Sequence, residues 1–330
     1  MRKKITTLLI ILLCAFLLIS CKKKEERKMN DFIKTVEKLN SYTLEGTLKS
    51  FYPSGEKESK IVVNYLKPNY YYVEITNPEN NETQVIIKNN DGTYIGIPAI
   101  NKTFKIKTNW PLNSSYPYIL ETLVNDLKKS EDLTKKFENK KTILETKVKI
   151  FDNNSSEKEK IIINSDGILE EVLIYDQDGN LINNFKVISF KKNPKLESKD
   201  FDVKEIIETI QTGLFDQKYE RTITYPSYFP EGSYLVDELI KRDSDNTYAI
   251  LKYGGSSSYT IVEEYLSKTD AIVTSEHEGK ILVFNAIPVM VAANYILFVD
   301  NGIEYKIASD KVSVLEMIKM ADSLVEVSEK

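Results

Sequence analysis

Apolar residues recur mostly at every second position along this chain. In Thr103-Phe104-Lys105-Ile106-Lys107, Phe104 and Ile106 share one face and the polar residues share the other. Tyr71, Val73 and Ile75 oppose Tyr70, Tyr72 and Glu74, and Lys147 and Lys149 alternate with Val148 and Ile150. Successive side chains of a strand point to opposite faces, so this period of two predicts half-buried antiparallel strands. Turn residues separate these runs at Asp91-Gly92, Asp166-Gly167, Asp178-Gly179-Asn180 and Asp300-Asn301-Gly302. Such residues tolerate the positive φ that tight hairpins need.

Helical spacing appears in few places. Asn30 can cap a short helix carrying Phe32, Val36 and Leu39. Pro117, after Ser114 and Ser115, is expected to open a second with Leu120, Leu123, Val124 and Leu127 on one stripe. Ser313 and Glu316 form a capping-box pattern ahead of Met317, Met320, Ala321 and Leu324. A long sheet with few helices must cover its apolar face with them. The predicted class is mainly β (α+β), a curved antiparallel half-open barrel wrapped around helices. The space between them is a candidate apolar cavity. Its inward candidates are Ile61, Val63, Tyr71, Val73, Ile75, Val85, Ile87, Phe104, Ile106, Leu120, Leu123 and Val124. A dry packed core shows the same alternation.

The pattern breaks between Asn193 and about Thr224, where Pro194, a charged stretch and a short helical turn precede Pro226 and Pro230. This places one domain over 31–205, a linker over 206–224 and a smaller β-rich domain with a terminal helix over 225–330. Strands are expected there over 234–241, 247–253, 259–266, 281–285, 295–299 and 303–308.

The N-terminus changes the setting. Arg2, Lys3 and Lys4 precede the apolar run Leu8 to Ile19, which suits a signal-peptide core but is short of the ~20 residues of a membrane span. Residues 1–20 are therefore expected to be a signal peptide. Leu18-Ile19-Ser20-Cys21 resembles the bacterial lipobox, which implies cleavage after Ser20 and a diacylglyceryl group on Cys21. Two acyl chains hold a protein stably at a membrane where one does not. Residues 21–30 then form a tether whose Lys22, Lys23, Lys24, Arg27 and Lys28 are drawn to anionic headgroups.

Composition narrows the chemistry. The 45 basic and 49 acidic residues give a net charge of −4, and losing the signal peptide makes the chain more acidic, which argues against nucleic acid as a partner. Cys14 would leave with the signal and Cys21 would be acylated, so no disulfide or thiolate metal site is expected. His277 is the one histidine, which disfavours His-dependent catalytic triads and multi-histidine zinc sites. Glu170-Glu171 and Glu263-Glu264 are adjacent, so a strand points their carboxylates to opposite faces. No phosphate-binding Gly-rich loop appears. The chain is expected to be non-catalytic, without a cofactor or metal.

Gly46-Thr47-Leu48, then Tyr65-Leu66-Lys67-Pro68-Asn69-Tyr70-Tyr71-Tyr72, Gln84 to Ile87 and Asn90-Asp91-Gly92-Thr93-Tyr94 follow in an order that resembles the LolA/LolB-like (RseB-like) lipoprotein family. Asn193-Pro194 and Asp200-Phe201 are similar to that family's closing segment, and the likeness covers roughly residues 31 to 205. From Tyr225-Pro226-Ser227-Tyr228-Phe229-Pro230-Glu231-Gly232 onward, the chain resembles the second domain of sporulation or germination lipoproteins of Gram-positive spore formers. The resemblance implies an extracytoplasmic, lipid-anchored protein whose concave sheet holds an acyl chain or another apolar ligand. It equally implies a scaffold or sensor docking an envelope protein, such as a cell-wall amidase or an anti-sigma factor. Tyr70, Tyr72, Trp110, Tyr116 and Tyr118 are candidate contacts for such a partner. Where the carrier has an arginine that holds its lid helix, this chain has Lys67, which lacks the planar fork of donors. Lys67 therefore joins the candidate site residues as a weakened latch.

Overall fold

A computed structural model describes residues 28–151, 157–211, 223–242, 247–285 and 287–326. The signal segment, Cys21 and the tether up to residue 27 lie outside the described residues. Residues 28–38 form helix α1. The strands that follow are β1 (Ser41–Tyr52), β2 (Gly55–Leu66), β3 (Tyr70–Thr76), β4 (Thr83–Asn89), β5 (Gly92–Ile97) and β6 (Lys102–Lys107). Helix α2 (Leu120–Lys129) leads to β7 (Thr134–Glu138), β8 (Lys141–Val148), β9 (Glu157–Ile163), β10 (Leu169–Tyr175) and β11 (Leu181–Lys192). Helix α3 (Val203–Gln211) closes this half.

The second half contains β12 (Thr224–Pro226), β13 (Ser233–Arg242), β14 (Thr247–Gly255), β15 (Tyr259–Tyr265), β16 (Val273–Glu278) and β17 (Lys280–Phe284). It continues with β18 (Ile287–Val291), β19 (Tyr295–Asp300), β20 (Ile303–Ala308), α4 (Val314–Asp322) and β21 (Leu324–Glu326). Two large sheets result. One runs β16-β6-β5-β4-β3-β2-β1-β11-β10-β9-β8-β7, and the other β13-β14-β15-β20-β19-β18-β17. The mainly β class and the large curved sheet expected from periodicity are what the chain adopts.

Hairpins sit where the turn residues placed them. Asn301 and Gly302 both have positive φ, at 49° and 73°, as a two-residue turn between β19 and β20 requires. Ser313 caps α4 by accepting from the Glu316 backbone N–H at 3.2 Å. The second helix differs from expectation, because it begins at Leu120 rather than Pro117. Tyr116 and Tyr118 are buried in the core, and the Thr122 hydroxyl ties the Tyr116 and Ile119 carbonyls into a turn at 3.0 and 2.8 Å.

Sheet register decides which residues face inward. Tyr71, Val73 and Ile75 on β3 lie opposite Lys88, Ile86 and Gln84 on β4. Directly opposed residues share a face, so Val85 and Ile87 point away from Tyr71. They pack instead against Ile207 of α3 on the outer face. Val85-Ile86-Ile87 is a continuous apolar run whose alternation cannot fix its parity, and the inward placement expected for Val85 and Ile87 is corrected here. Gly96 lets α3 approach, since a Cβ there would lie 2.5 Å from the Ile207 Cδ1.

The two halves interlock. Ile281, Met290, Leu297 and Val299 of the second half belong to the same buried cluster as α1, α2 and the inner face of the large sheet. Strand β16 pairs in parallel with β6, from Val273↔Lys102 to Glu278↔Lys107. The Thr103 and Thr274 hydroxyls are 2.8 Å apart along this seam. The edge of the first sheet is thus covered by a strand of the second half. The stretch expected as linker supplies part of α3 over 206–211, while 212–222 lies outside the described residues.

Candidate functional site

The concave face gathers Ile61, Val63, Tyr71, Val73, Ile75, Phe104, Ile106, Leu120, Leu123 and Val124 into one buried cluster. Val85 and Ile87 lie on the opposite face with α3. Phe32 and Val36 of α1 and the four second-half residues pack into the same cluster. Among the described residues, cavities of about 10 Å³ beside Phe32, Leu44 and Leu120 and about 30 Å³ beside Leu48, Tyr116 and Leu282 border this core. Ligand pockets run to roughly 300–1,000 Å³, whereas these volumes suit single waters.

A buried aromatic chain runs through the same core. Tyr71 meets Trp110 edge-on at 5.4 Å, Trp110 meets Tyr116 at 5.9 Å, and Tyr118 meets Phe185 at 6.1 Å. Trp110, Tyr116 and Tyr118, expected as partner contacts, are core residues; Tyr70 and Tyr72 are half-buried. The Tyr116 hydroxyl donates to the Ile281 carbonyl, so one of these rings joins the halves directly. Lys67 donates to the Glu37 carbonyl of α1 at 3.3 Å from an exposed position. It holds one carbonyl where a guanidinium fork could hold several.

An open groove lies at the rim of this sheet, where β4, β5, β6 and β16 end together. Its volume is about 440 Å³, and its walls include Lys88, Lys105, Lys107, Asp91, Glu276 and His277. The register row Lys88, Thr93, Ile106, His277 runs across four neighbouring strands on the inner face. Lys88 donates to the Trp110 carbonyl, and burial pushes its ammonium pKa down. His277 sits between Ser275 and Tyr295, at 3.1 and 3.4 Å. Burial lowers its pKa from the usual value, which favours the neutral ring. Lys105 and Lys107 reach Glu276 and Glu278 at 3.9 and 3.3 Å, contacts exposed enough to exchange with a ligand at little cost.

Periodicity carries no sign of this groove. Its residues are spread over four strands, and β16 is a polar stretch with no apolar alternation to mark it. Among the described residues, no group of three or more His, Cys, Asp or Glu side chains is placed to hold a metal. No described helix is long and apolar enough to cross a membrane.

A large curved sheet closed over helices, with a smaller β half docked on it, is the architecture of this chain. The chain belongs to the sporulation protein YdcC-like family, whose model matches residues 2–201. The sporulation protein YdcC of Bacillus subtilis (strain 168) is 27% identical over 264 residues, covering 78% of each chain. Among solved structures, MucB in complex with MucA(peri) matches with a TM-score of 0.32 and 11% identity, over 93% of this chain and 99% of that one. A LolA-superfamily protein from Nitrosomonas europaea matches with a TM-score of 0.31 and 11% identity, over 54% and 96%. The complex of the Clostridioides difficile CwlD amidase with the GerS lipoprotein matches with a TM-score of 0.28 and 17% identity, over 52% and 94%.

Proposed function

We propose that this chain is a non-catalytic scaffold on the extracytoplasmic face of the cell membrane, held through a diacylglyceryl group on Cys21, which docks an envelope protein during sporulation. The observation that carries this reading is the plugging of the concave face by the chain's own second half, through Ile281, Met290, Leu297 and Val299. A carrier needs that space for an acyl chain, while a scaffold gains rigidity by filling it. The docking groove is the lysine-lined rim. Three ammonium groups against the Asp91 and Glu276 carboxylates favour a carboxylate-bearing segment, and lysine supplies point charges suited to such contacts. The occupant is an envelope protein of the class that the family resemblance implies, a cell-wall amidase or an anti-sigma factor.

The test is recovery of a partner from cross-linked envelopes of sporulating cells, using the full chain and its Lys105→Glu/Lys107→Glu variant. Lys107 is exposed and Lys105 half-buried over the Tyr94 ring, so circular dichroism of the variant, unchanged from the full chain, accompanies the recovery. We expect an envelope protein with the full chain and at least about tenfold less with the variant, equivalent to ~1.4 kcal/mol of binding. Equal recovery with both would refute the groove as the docking site, and recovery of no protein would refute the scaffold.

A further inference from the structure

Among the described residues, strand β13 stands at the open edge of the seven-stranded sheet, hydrogen-bonded on one side to β14 alone. Its apolar side chains are unusually exposed: Tyr234 by 63%, Val236 by 61%, Leu239 by 52% and Leu235 by 46%. Edge strands in soluble proteins are commonly kept short or covered, as β6 is covered here by β16. This strand runs ten residues from Ser233 to Arg242.

After a bulge between Leu235 and Asp237, the register with β14 is regular, pairing Asp237 with Lys252, Leu239 with Ile250 and Lys241 with Tyr248. Asp237, Leu239 and Lys241 therefore share one face of the sheet. Their order, acid then leucine then base, is complementary to itself when reversed. We propose that β13 pairs antiparallel with β13 of a second copy of this chain, joining the two smaller sheets across a two-fold axis at Leu239. In that register Leu239 meets its own counterpart, and each Asp237 lies opposite Lys241 of the other copy. A two-fold axis perpendicular to the sheet preserves its faces, so opposed residues must lie an even number apart. An axis at Asp237, Glu238 or Lys241 opposes like charges. An axis at Ile240 shortens the overlap within the strand. The Leu239 register matches the charges over the longest run, and its Leu239 contact buries apolar surface that is otherwise wet. This association is separate from the rim groove, which lies on the other sheet.

The experiment is sedimentation equilibrium of the purified full chain through the micromolar range, at low and high salt. The wild type is expected to dimerise. Asp237→Lys and Lys241→Asp, each placing two like-charge contacts across the axis, are expected to weaken the dimer at least about tenfold. The double variant Asp237→Lys/Lys241→Asp is expected to return the dissociation constant to within about threefold of wild type. That recovery separates a pairing effect from damage to the strand. A wild type that stays monomeric throughout, single variants that dimerise like wild type, or a double variant that stays monomeric would each overturn the proposal. A monomer that instead captures another protein through this strand counts among the overturning results.

Discussion

Phe185→Ala is expected to lower the folding free energy by about 4 kcal/mol, among the larger losses for a single core truncation. Phe185 is fully buried on β11, opposite Leu48 of β1 and Val172 of β10. It therefore joins the two arms of the large sheet at its middle. Its ring also covers Gly46, where a Cβ would overlap both that ring and the Lys186 carbonyl. Truncation leaves a void bounded by Tyr118 and Leu48 that rigid strands cannot close. Urea unfolding followed by circular dichroism gives the loss. A comparison with Phe190→Ala, on the same strand but only half-buried, should show a clearly smaller effect. A loss below ~1 kcal/mol at Phe185 would contradict the packing described here.

Stability is expected to fall as pH rises from about 4 to about 7, the reverse of ordinary acid denaturation. Burial pushes the carboxyls of Glu82, Glu121 and Glu263 up to about 7, and that of Asp126 up to about 6. Asp300 and Glu159 are raised for the same reason. In the unfolded chain these groups titrate at ~4. Between those limits the native state binds more protons than the unfolded state, so each rise in pH costs stability. The contribution is fully present below the unfolded values and is lost through the folded ones. A tenfold change in proton affinity is worth ~1.4 kcal/mol, so these carboxyls together contribute on the order of several kcal/mol. The midpoint of thermal unfolding should therefore be highest at the acid end of this window. Glu121→Gln keeps an acceptor for the Tyr42 hydroxyl, now 2.9 Å away, and should flatten part of the slope. A midpoint that is level or rises with pH would contradict this expectation.

Much of the fold was legible because alternation and turn chemistry agree. Tyr71, Val73 and Ile75 face inward as their period demands, and Asn301-Gly302 turns where its φ angles allow. Parity was legible only where polar residues interrupt the apolar ones, and the run at Val85 to Ile87 offered no such mark. The interlocking of the halves was not legible at all. Strand β18 is uniformly apolar and β16 is polar, so neither carries a period of two, and their partners are set by tertiary contact. Buried aromatics misled for a related reason. Trp110 and Tyr118 have the composition of an interface, and only their place between sheet and helices makes them core. Lys67 donates to one carbonyl of α1, the single bond that an ammonium makes there.

Scaffold and carrier differ in whether the hollow of the large sheet belongs to the chain itself. The direct measurement is mass spectrometry of an organic extract from purified Cys21→Ala protein lacking residues 1–20, with fatty-acid uptake followed by fluorescence on the same sample. A self-filled hollow predicts no lipid at a stoichiometric level and no saturable uptake. One acyl lipid per chain, released by extraction and reloaded afterwards, would show that Met290 and Leu297 yield to a ligand and that the protein is a carrier.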